Sequence, residues 1–286
     1  MSNKTILVTG ANGQLGREMQ VAAKNFPNYN FLFVSKDELP IDNFDAVQHF
    51  FDNHSIGVCV NCAAYTAVDR AETEKEKAFS INGDAVENLA KLCKKNDALF
   101  IHISTDYVFD GAATSPYKED EAVKPIGVYG ASKLKGEQLA LQNNPASIII
   151  RTSWVYSSFG NNFVKTMLRL MKERESINVV DDQKGCPTYA ADLAAAIMDI
   201  ISGENLTPGI YNFSNHGIIT WHQFAVAIKE LSGSKCIVNP IPTSQYPTPA
   251  KRPAYSVLDT TKIRQTFNVV IPDWKESLKK CLSLLQ

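Results

Sequence analysis

The sequence lacks an excess of charge of either sign and any long apolar run. Its 29 Lys and Arg residues nearly balance 30 Asp and Glu residues, which leaves a formal charge of −1. Such a chain has no overall field to attract nucleic acid or an anionic membrane. No stretch approaches the ~18 consecutive apolar residues of a membrane-spanning helix. We therefore expect neither a nucleic-acid nor a membrane partner, and an anionic ligand must meet local positive charge.

The sequence also has few cysteines, six in 286 residues, and they are dispersed. No N-terminal stretch combines a basic region, an apolar run and a small-residue cleavage site, so we expect a reduced, cytoplasmic setting. Cys59 and Cys62 form a CxxC inside an apolar segment, without a second Cys or His pair at zinc spacing. We interpret them as small buried residues near a strand end and predict no metal site.

The first half of the chain alternates short β-branched runs with segments of helical period, which predicts an α/β fold with a doubly wound parallel sheet. The predicted strands lie at 4–9, 31–34, 57–61, 98–104 and 147–151. In the second half we predict helices near 161–174, 189–202 and 220–231, strands at 177–180 and 209–213, and a proline-rich surface loop at 240–253.

The length favours about two units. We assign residues 1–153 to a Rossmann domain that binds NAD(P). Residues 154–286 are assigned mainly to a smaller substrate-binding lobe, with a cleft between the two units. We expect the strands near 177–180 and 209–213 to return to the Rossmann sheet.

A glycine-rich loop follows the first predicted strand. Gly10, Gly13 and Gly16 form GxxGxxG where the first helix begins. Glycines there permit a tight turn and close approach of the backbone to a pyrophosphate, and free amides at the helix start face the anion. The loop predicts a dinucleotide site.

The end of the second strand governs the choice between NADH and NADPH. Lys36 and Arg17 are suited to a 2′-phosphate, whereas Asp37 is suited to a free 2′-hydroxyl. We predict a preference for NADPH, with NADH also usable.

A YxxxK motif places Tyr129 and Lys133 four residues apart, on one face of a predicted helix. A nearby ammonium favours phenolate, so we expect Lys133 to lower the pKa of Tyr129 toward neutrality and make Tyr129 a general acid for a carbonyl. Thr105 ends the fourth predicted strand, where its hydroxyl can bind the same oxygen. Glycine loop, strand-end hydroxyl and YxxxK, in this order, resemble the extended short-chain dehydrogenase/reductase superfamily.

Longer strings resemble one family within it, the dTDP-4-dehydrorhamnose reductases, over nearly the whole chain. They are GQLG (13–16), TAVDRAE (66–72), STDYVFDG (104–111), RTSWVY (151–156), GNNF (160–163), DQKGCPT (182–188), RP (252–253) and SVLD (256–259). Cys62 departs from the alanine that the family often has there.

The resemblance implies reduction of the C4 ketone of dTDP-4-dehydro-β-L-rhamnose by hydride transfer from NAD(P)H, in dTDP-rhamnose biosynthesis. It implies that Thr105, Tyr129 and Lys133 are catalytic, and that Thr105, Asp106, Trp154 and Arg252 bind the sugar nucleotide. The residues expected around the cofactor are Gly10, Asn12, Gly13, Gln14, Leu15, Gly16, Arg17, Asp42, Asn43, Ala63, Ala64, Tyr65, Thr66, Asn82, Ile103, Tyr129 and Lys133. Mg²⁺ enters only through the family, since no carboxylate cluster identifies a site for it.

Two alternatives stay open. One is another sugar-nucleotide epimerase or dehydratase of this superfamily, although Thr105 has no Glu beside it for elimination of water. The other is a non-catalytic subunit resembling the regulatory subunit of methionine adenosyltransferase, against which the intact Thr105, Tyr129 and Lys133 argue. The expected assembly is a monomer or a homodimer.

Overall fold

The computed structural model describes residues 5–285 and is built around one six-stranded, wholly parallel sheet. The chain forms β1 (Thr5–Thr9), β2 (Asn30–Val34), β3 (Ile56–Asn61), β4 (Leu99–Thr105), β5 (Ile148–Thr152), β6 (Val155–Tyr156), β7 (Ser176–Val180), β8 (Lys184–Gly185), β9 (Thr188–Tyr189), β10 (Gly209–Phe213), β11 (Ile219–Thr220) and β12 (Ile237–Ile241). The order in the large sheet is β10-β5-β4-β3-β1-β2. The predicted α/β doubly wound sheet is confirmed; Lys4, predicted to begin its first strand, lies outside the described residues.

Helices cover both faces of this sheet. The α-helices of residues 5–285 are α1 (Gln14–Ala23), α2 (Phe44–Asn53), α3 (Val68–Ala71), α4 (Lys75–Phe79), α5 (Ala85–Lys95), α6 (Val128–Asn143), α7 (Phe163–Glu173), α8 (Ala190–Ser202), α9 (Trp221–Ser232), α10 (Thr261–Phe267) and α11 (Trp274–Ser283). None of the helices within residues 5–285 is long and apolar enough to cross a membrane.

Alternate residues along each strand explain the two cores. In β1, Ile6 and Val8 pack with α1 and α8, whereas Leu7 faces α2 and α5. A strand buried on both faces needs an uninterrupted apolar run, which is what the sequence provides.

A third core lies outside the central sheet. It joins α7, α9 and α11 with β7, whose residues Ile177 and Val179 are buried there. β7 pairs in parallel with β12 in a separate two-stranded sheet. The expectation that the strand near 177–180 returns to the Rossmann sheet is therefore wrong, while β10 (Gly209–Phe213) does pair with β5 as expected.

Helix α6 is attached to the sheet by a buried ion pair. Arg151 on β5 meets Glu137 on α6 at 2.7 Å, and their side chains are 2% and 1% exposed. Glu137 also accepts a hydrogen bond from the Ser104 hydroxyl on β4, and the Arg151 guanidinium lies 5.1 Å from the Phe109 ring centroid. One carboxylate therefore connects α6 to both neighbouring strands.

Removing one member of this pair should be costly, because the other is left buried and uncompensated. We expect Arg151→Met to lower the free energy of unfolding by about 3–5 kcal/mol, measured by urea denaturation. The control is Arg169→Met, which removes an exposed pair with Glu173 on α7 and should cost less than about 1 kcal/mol. Equal effects of the two variants would contradict the anchoring role.

Candidate active site

A cavity of about 820 Å³ opens at the carboxyl edge of the central sheet. Its walls come from the segments that follow β1, β3, β4 and β5 and from the start of α6. Ligands of open parallel sheets bind at this edge. Most of the predicted site residues line it: Gly10, Asn12, Gly13, Gln14, Leu15, Asp42, Ala63, Ala64, Tyr65, Thr66, Ile103, Thr105, Asp106, Tyr129, Lys133 and Trp154.

The glycine loop between β1 and α1 forms one end of the cavity. Gly10 has a φ of +66°, and a side-chain carbon there would lie 2.7 Å from the Ala63 amide nitrogen. A side-chain carbon at Gly16 would collide with the Gly10 carbonyl oxygen. Glycine at position 16 therefore lets α1 pack against the loop. Gly16 does not border the cavity, but α1 begins at the cavity wall, where its first amides can face an anion.

The segment after β2 forms the outer part of this end. Lys36 and Asp42 border the cavity. Asn43 does not; it caps α2 by accepting a hydrogen bond from the Ala46 amide at 3.1 Å. Arg17 also lies away from the wall, with its guanidinium 6.0 Å from the Phe159 ring centroid. Of the two cations predicted to favour NADPH, Lys36 is the one at the cavity.

The loop after β3 lines the middle of the cavity, and Asn82 holds this loop in place. The Tyr65 amide donates to Asn82 Oδ1 at 2.9 Å, and Asn82 Nδ2 donates to the Tyr65 carbonyl at 3.0 Å and to Ser132 Oγ at 3.0 Å. Asn82 is buried and does not itself line the cavity. It ties the loop to α6 through Ser132.

Tyr129 and Lys133 project from α6 into the same cavity that Thr105 reaches from the end of β4. Helix α6 can come this close because a side-chain carbon at Gly130 would collide with the Tyr107 carbonyl. The Lys133 ammonium nitrogen donates to the Ile103 carbonyl at 2.6 Å. These three predicted catalytic residues therefore share one site.

Burial governs the protonation of both α6 residues. It raises the pKa of Tyr129 to about 12, with the Thr105 hydroxyl acting in the opposite direction and the Asp106 carboxyl adding to the increase. Burial lowers the pKa of Lys133 to about 8, opposed by Glu137. The expectation that Lys133 brings the pKa of Tyr129 toward neutrality is wrong, since desolvation is the largest effect and Lys133 is not among the groups that shift this pKa.

Asp106 stands next to Thr105 and is almost fully buried, at 2% exposure. Its Oδ1 accepts the Thr105 hydroxyl at 2.9 Å, while its Oδ2 has no hydrogen-bond partner among residues 5–285. Burial raises the pKa of this carboxyl to about 7, and the hydrogen bond from Thr105 opposes the increase. Asp106 is therefore a carboxyl that can hold a proton near neutral pH.

Trp154 borders the cavity on the side of the third core. Its backbone φ is +48°, a conformation that costs a non-glycine residue about 1–3 kcal/mol. Its ring stacks on Trp221, with centroids 3.6 Å apart and planes inclined by 10°. A side-chain carbon at Gly185 would lie 2.5 Å from the same ring. Trp221 and Gly185 thus fix the indole from outside the cavity, and no motif in the sequence indicated Trp221.

Arg252 does not line the cavity. Its guanidinium donates to both carboxylate oxygens of Asp69, at 2.9 and 2.8 Å, and to the Ala250 carbonyl at 3.1 Å. The pair joins the loop after β12 to the segment after β3. Its predicted contact with a diphosphate stays a prediction.

The cavity residues that were not selected as site residues from the sequence include Arg70, Lys77 and Tyr107. Tyr107 packs edge-on against Tyr129, with ring centroids 5.5 Å apart. Its place two residues after Thr105 was the available signal. Lys77 lies on α4 outside any recognised string, and nothing in the sequence distinguished it.

Cys59 is buried in β3, while Cys62 borders the cavity and is partly exposed. Burial holds the pKa of the Cys62 thiol far above its ordinary value. Within residues 5–285 no group of three or more His, Cys, Asp and Glu side chains is arranged to hold a metal ion.

Comparison with known proteins gives one consistent result. Residues 4–286 match the family model described as the RmlD substrate binding domain. The chain is 44% identical to the dTDP-4-dehydrorhamnose reductase of Aggregatibacter actinomycetemcomitans over 284 residues, covering 96% of this chain and 97% of the relative.

Two solved structures extend that result. The crystal structure of a dTDP-4-dehydrorhamnose reductase from Clostridium acetobutylicum has a TM-score of 0.95 and 42% identity, covering 99% of each chain. That of the Bacillus anthracis enzyme in complex with NADP has a TM-score of 0.94 and 39% identity, covering 98% of this chain and 99% of the other.

Asp106 gives a pH-dependent prediction. The folded chain holds this proton up to about pH 7, whereas an unfolded Asp releases it near ~3.9. The folded state therefore binds more protons between these values, and this group makes the free energy of unfolding fall as pH rises through that window. We expect Asp106→Asn to gain roughly 2–4 kcal/mol relative to the unaltered protein between pH 4.5 and 8.

Urea denaturation at pH 4.5, 6 and 8 measures this difference. Asp120→Asn is the control, because it makes the same change at an exposed carboxylate. Parallel pH dependence of the unaltered protein and Asp106→Asn would show that Asp106 ionises normally.

Proposed function

The chain belongs to the dTDP-4-dehydrorhamnose reductase family, and we propose that it reduces the C4 ketone of dTDP-4-dehydro-β-L-rhamnose to dTDP-L-rhamnose. As a member of this family it is an NAD(P)H-dependent oxidoreductase. The proposal is supported above all by the meeting of Thr105, Tyr129 and Lys133 in one cavity that the glycine loop closes at its other end. A ketone bound between them would lie beside a proton donor and a cofactor.

The cavity fits a dinucleotide. A side-chain carbon at Gly10 would collide with the Ala63 backbone, so the tight turn that brings the loop to the cavity wall needs glycine there. Lys36 at the cavity wall suits a 2′-phosphate, and the NADP complex of the Bacillus anthracis relative agrees with that choice. When bound, NADPH supplies the hydride. We propose that Ala64, Tyr65 and Thr66 border its middle.

Tyr129 is the proposed proton donor. With a pKa of about 12 it keeps its proton at neutral pH. It loses that proton only when a more basic group, the alkoxide that develops at C4, comes into contact. Differential stabilisation of this alkoxide, rather than of the ketone, is what raises turnover.

Thr105 is proposed to bind the same oxygen, assisted by Asp106. The Thr105 hydroxyl donates to Asp106 Oδ1. A protonated Asp106 can instead donate to Thr105 Oγ1, which frees the hydroxyl hydrogen for the sugar oxygen. The raised pKa of Asp106 makes that form available near neutral pH.

Lys133 is proposed to hold the nicotinamide ribose, and Trp154 to contact the sugar nucleotide as a rigid surface. The stack of Trp154 on Trp221 supports the second role, because a fixed indole loses little freedom when ligand binds. Net oxidation of NADPH distinguishes this reaction from epimerases and dehydratases that recycle bound NAD⁺.

Tyr129→Phe tests the proton donor. We expect turnover to fall by a factor on the order of 10² to 10⁴, while NADPH binding is retained. The assay follows the loss of NADPH absorbance with dTDP-4-dehydrorhamnose and with other 4-keto sugar nucleotides. Tyr246→Phe, at a tyrosine that is 58% exposed and outside the cavity wall, should behave like the unaltered enzyme. Near-normal turnover of Tyr129→Phe would refute the assignment.

Lys36→Ala tests the cofactor preference. Loss of a charge-assisted contact worth about 1.5–3 kcal/mol should lower kcat/KM for NADPH by roughly 10- to 100-fold and leave NADH almost unaffected. Arg17→Ala is the matched comparison, since Arg17 carries the same charge away from the cavity wall. If Arg17→Ala has the larger effect on NADPH, the 2′-phosphate is held on the other side of the loop.

A further inference from the structure

A chain of buried polar groups runs from the sheet to Lys133. Thr9 on β1 donates to Asn61 Oδ1 at 2.6 Å, and Asn61 Nδ2 lies 3.0 Å from His102 Nδ1. His102 Nε2 then lies 3.3 Å from the Lys133 ammonium nitrogen. All four side chains are buried, with exposures of 0–2%.

The backbone fixes which way Asn61 points. The Ala63 amide, which can only donate, lies 3.2 Å from Asn61 Oδ1. Turning the side-chain amide over would place an NH₂ group against this N–H and would remove the hydrogen bond that the Thr9 hydroxyl donates to Oδ1. Asn61 therefore presents its NH₂ group to His102.

This orientation decides where His102 carries its proton. Because Asn61 donates to Nδ1, that nitrogen must supply a lone pair, and a neutral imidazole then carries its hydrogen on Nε2. Burial keeps the pKa of His102 well below its usual range, so the ring stays neutral. Its Nε2–H is thus directed at Lys133.

An ammonium has no lone pair with which to accept that hydrogen, whereas a neutral amine has one. The neutral form of Lys133 can accept from His102 Nε2 and still donate to the Ile103 carbonyl. The ammonium form can still donate to the Ile103 carbonyl. Toward His102, however, an N–H of the ammonium would face the Nε2–H of the ring, with no lone pair between them.

We propose that His102 is a positioning residue for the reaction: held by Asn61 with its proton on Nε2, it opposes the ammonium form of Lys133, so that Lys133 takes up a proton from solvent when the cofactor binds. This inference rests on the proposed function in taking NADPH as the ligand that meets Lys133. Its ribose hydroxyls and negative charge favour the ammonium form.

The other groups around Lys133 do not account for a proton taken up at pH 8.5. Glu137, one turn along α6, is paired with Arg151. The Cys62 thiol, after β3, has a pKa far above that pH, and Tyr129 has a pKa of about 12. The 2′-phosphate of NADPH, with a second pKa near ~6, stays ionised at this pH because Lys36 at the cavity wall favours its charged form.

Two measurements on the whole enzyme test the proposal. The first is nitrogen NMR of ¹⁵N-histidine-labelled protein between pH 6 and 9, with the His102 signals identified by their loss in His102→Gln. We expect a protonated Nε2 and a bare Nδ1 that do not titrate. A proton on Nδ1, or an imidazolium, would overturn the proposal without any question of a variant's folding.

The second is calorimetry of NADPH binding at pH 8.5 in two buffers of different ionisation enthalpy. With a pKa of about 8, Lys133 is roughly three-quarters neutral at this pH. The unaltered enzyme should therefore take up as much as about 0.7 proton. Asn61→Asp should reduce this uptake at least twofold, because a carboxylate accepts from Nδ1–H and leaves Nε2 free to accept from the ammonium.

The matched control is Asn53→Asp, at an exposed Asn53–His49 pair on α2, which should leave proton uptake unchanged. Equal uptake in the unaltered enzyme and Asn61→Asp would overturn the proposal. Neither measurement uses the sugar substrate. A positive result without sugar reduction therefore contradicts the proposed function alone, and normal sugar reduction with the proton on Nδ1 contradicts this inference alone.

Discussion

The buried pair of Arg151 and Glu137 is the interaction on which the site depends. Glu137 lies one turn after Lys133 on α6, and Arg151 lies on β5 beside the end of β4 that carries Thr105. The pair fixes the distance between the helix that carries two of the proposed catalytic residues and the strand that carries the third. Because both charges are out of water, the geometry tolerates no loss of either partner.

Desolvation is the common cause of the unusual protonation in this site. Burial raises the pKa values of Tyr129 and Asp106 and lowers that of Lys133, so each group is moved toward its uncharged form. The chain has a net charge of only −1, and within the described residues the cations at the cavity wall are Lys36, Arg70, Lys77 and Lys133. Two anionic ligands must then be met mainly by backbone amides and these few side chains.

Much of this could be predicted from sequence because the signals are local. The strands of the large sheet follow from short apolar runs, and the spacing of Tyr129 and Lys133 gives their common helix face. The prediction that failed depends on a contact between residues far apart in the sequence. A five-residue strand at 176–180 has no sequence signal that identifies the strand with which it pairs, and so its pairing with β12 was not predicted.

Other features that the sequence did not reveal have the same origin. Arg252 pairs with Asp69, which lies 183 residues away in the sequence, and no motif indicates this contact. The pKa of Tyr129 depends mainly on how much water the fold excludes. The YxxxK string shows only that a lysine is near and does not show this burial. The stack of Trp221 on Trp154 likewise forms only when the third core assembles.

The most direct test of the account is a crystal structure of the enzyme with NADP⁺ and dTDP-L-rhamnose, the proposed product pair. We expect the sugar O4 within hydrogen-bond distance of both Tyr129 Oη and Thr105 Oγ1, and the sugar C4 about 3–3.5 Å from nicotinamide C4. A sugar bound with its C4 turned away from Tyr129, or a nicotinamide lying outside the cavity bordered by Lys133, would contradict the account.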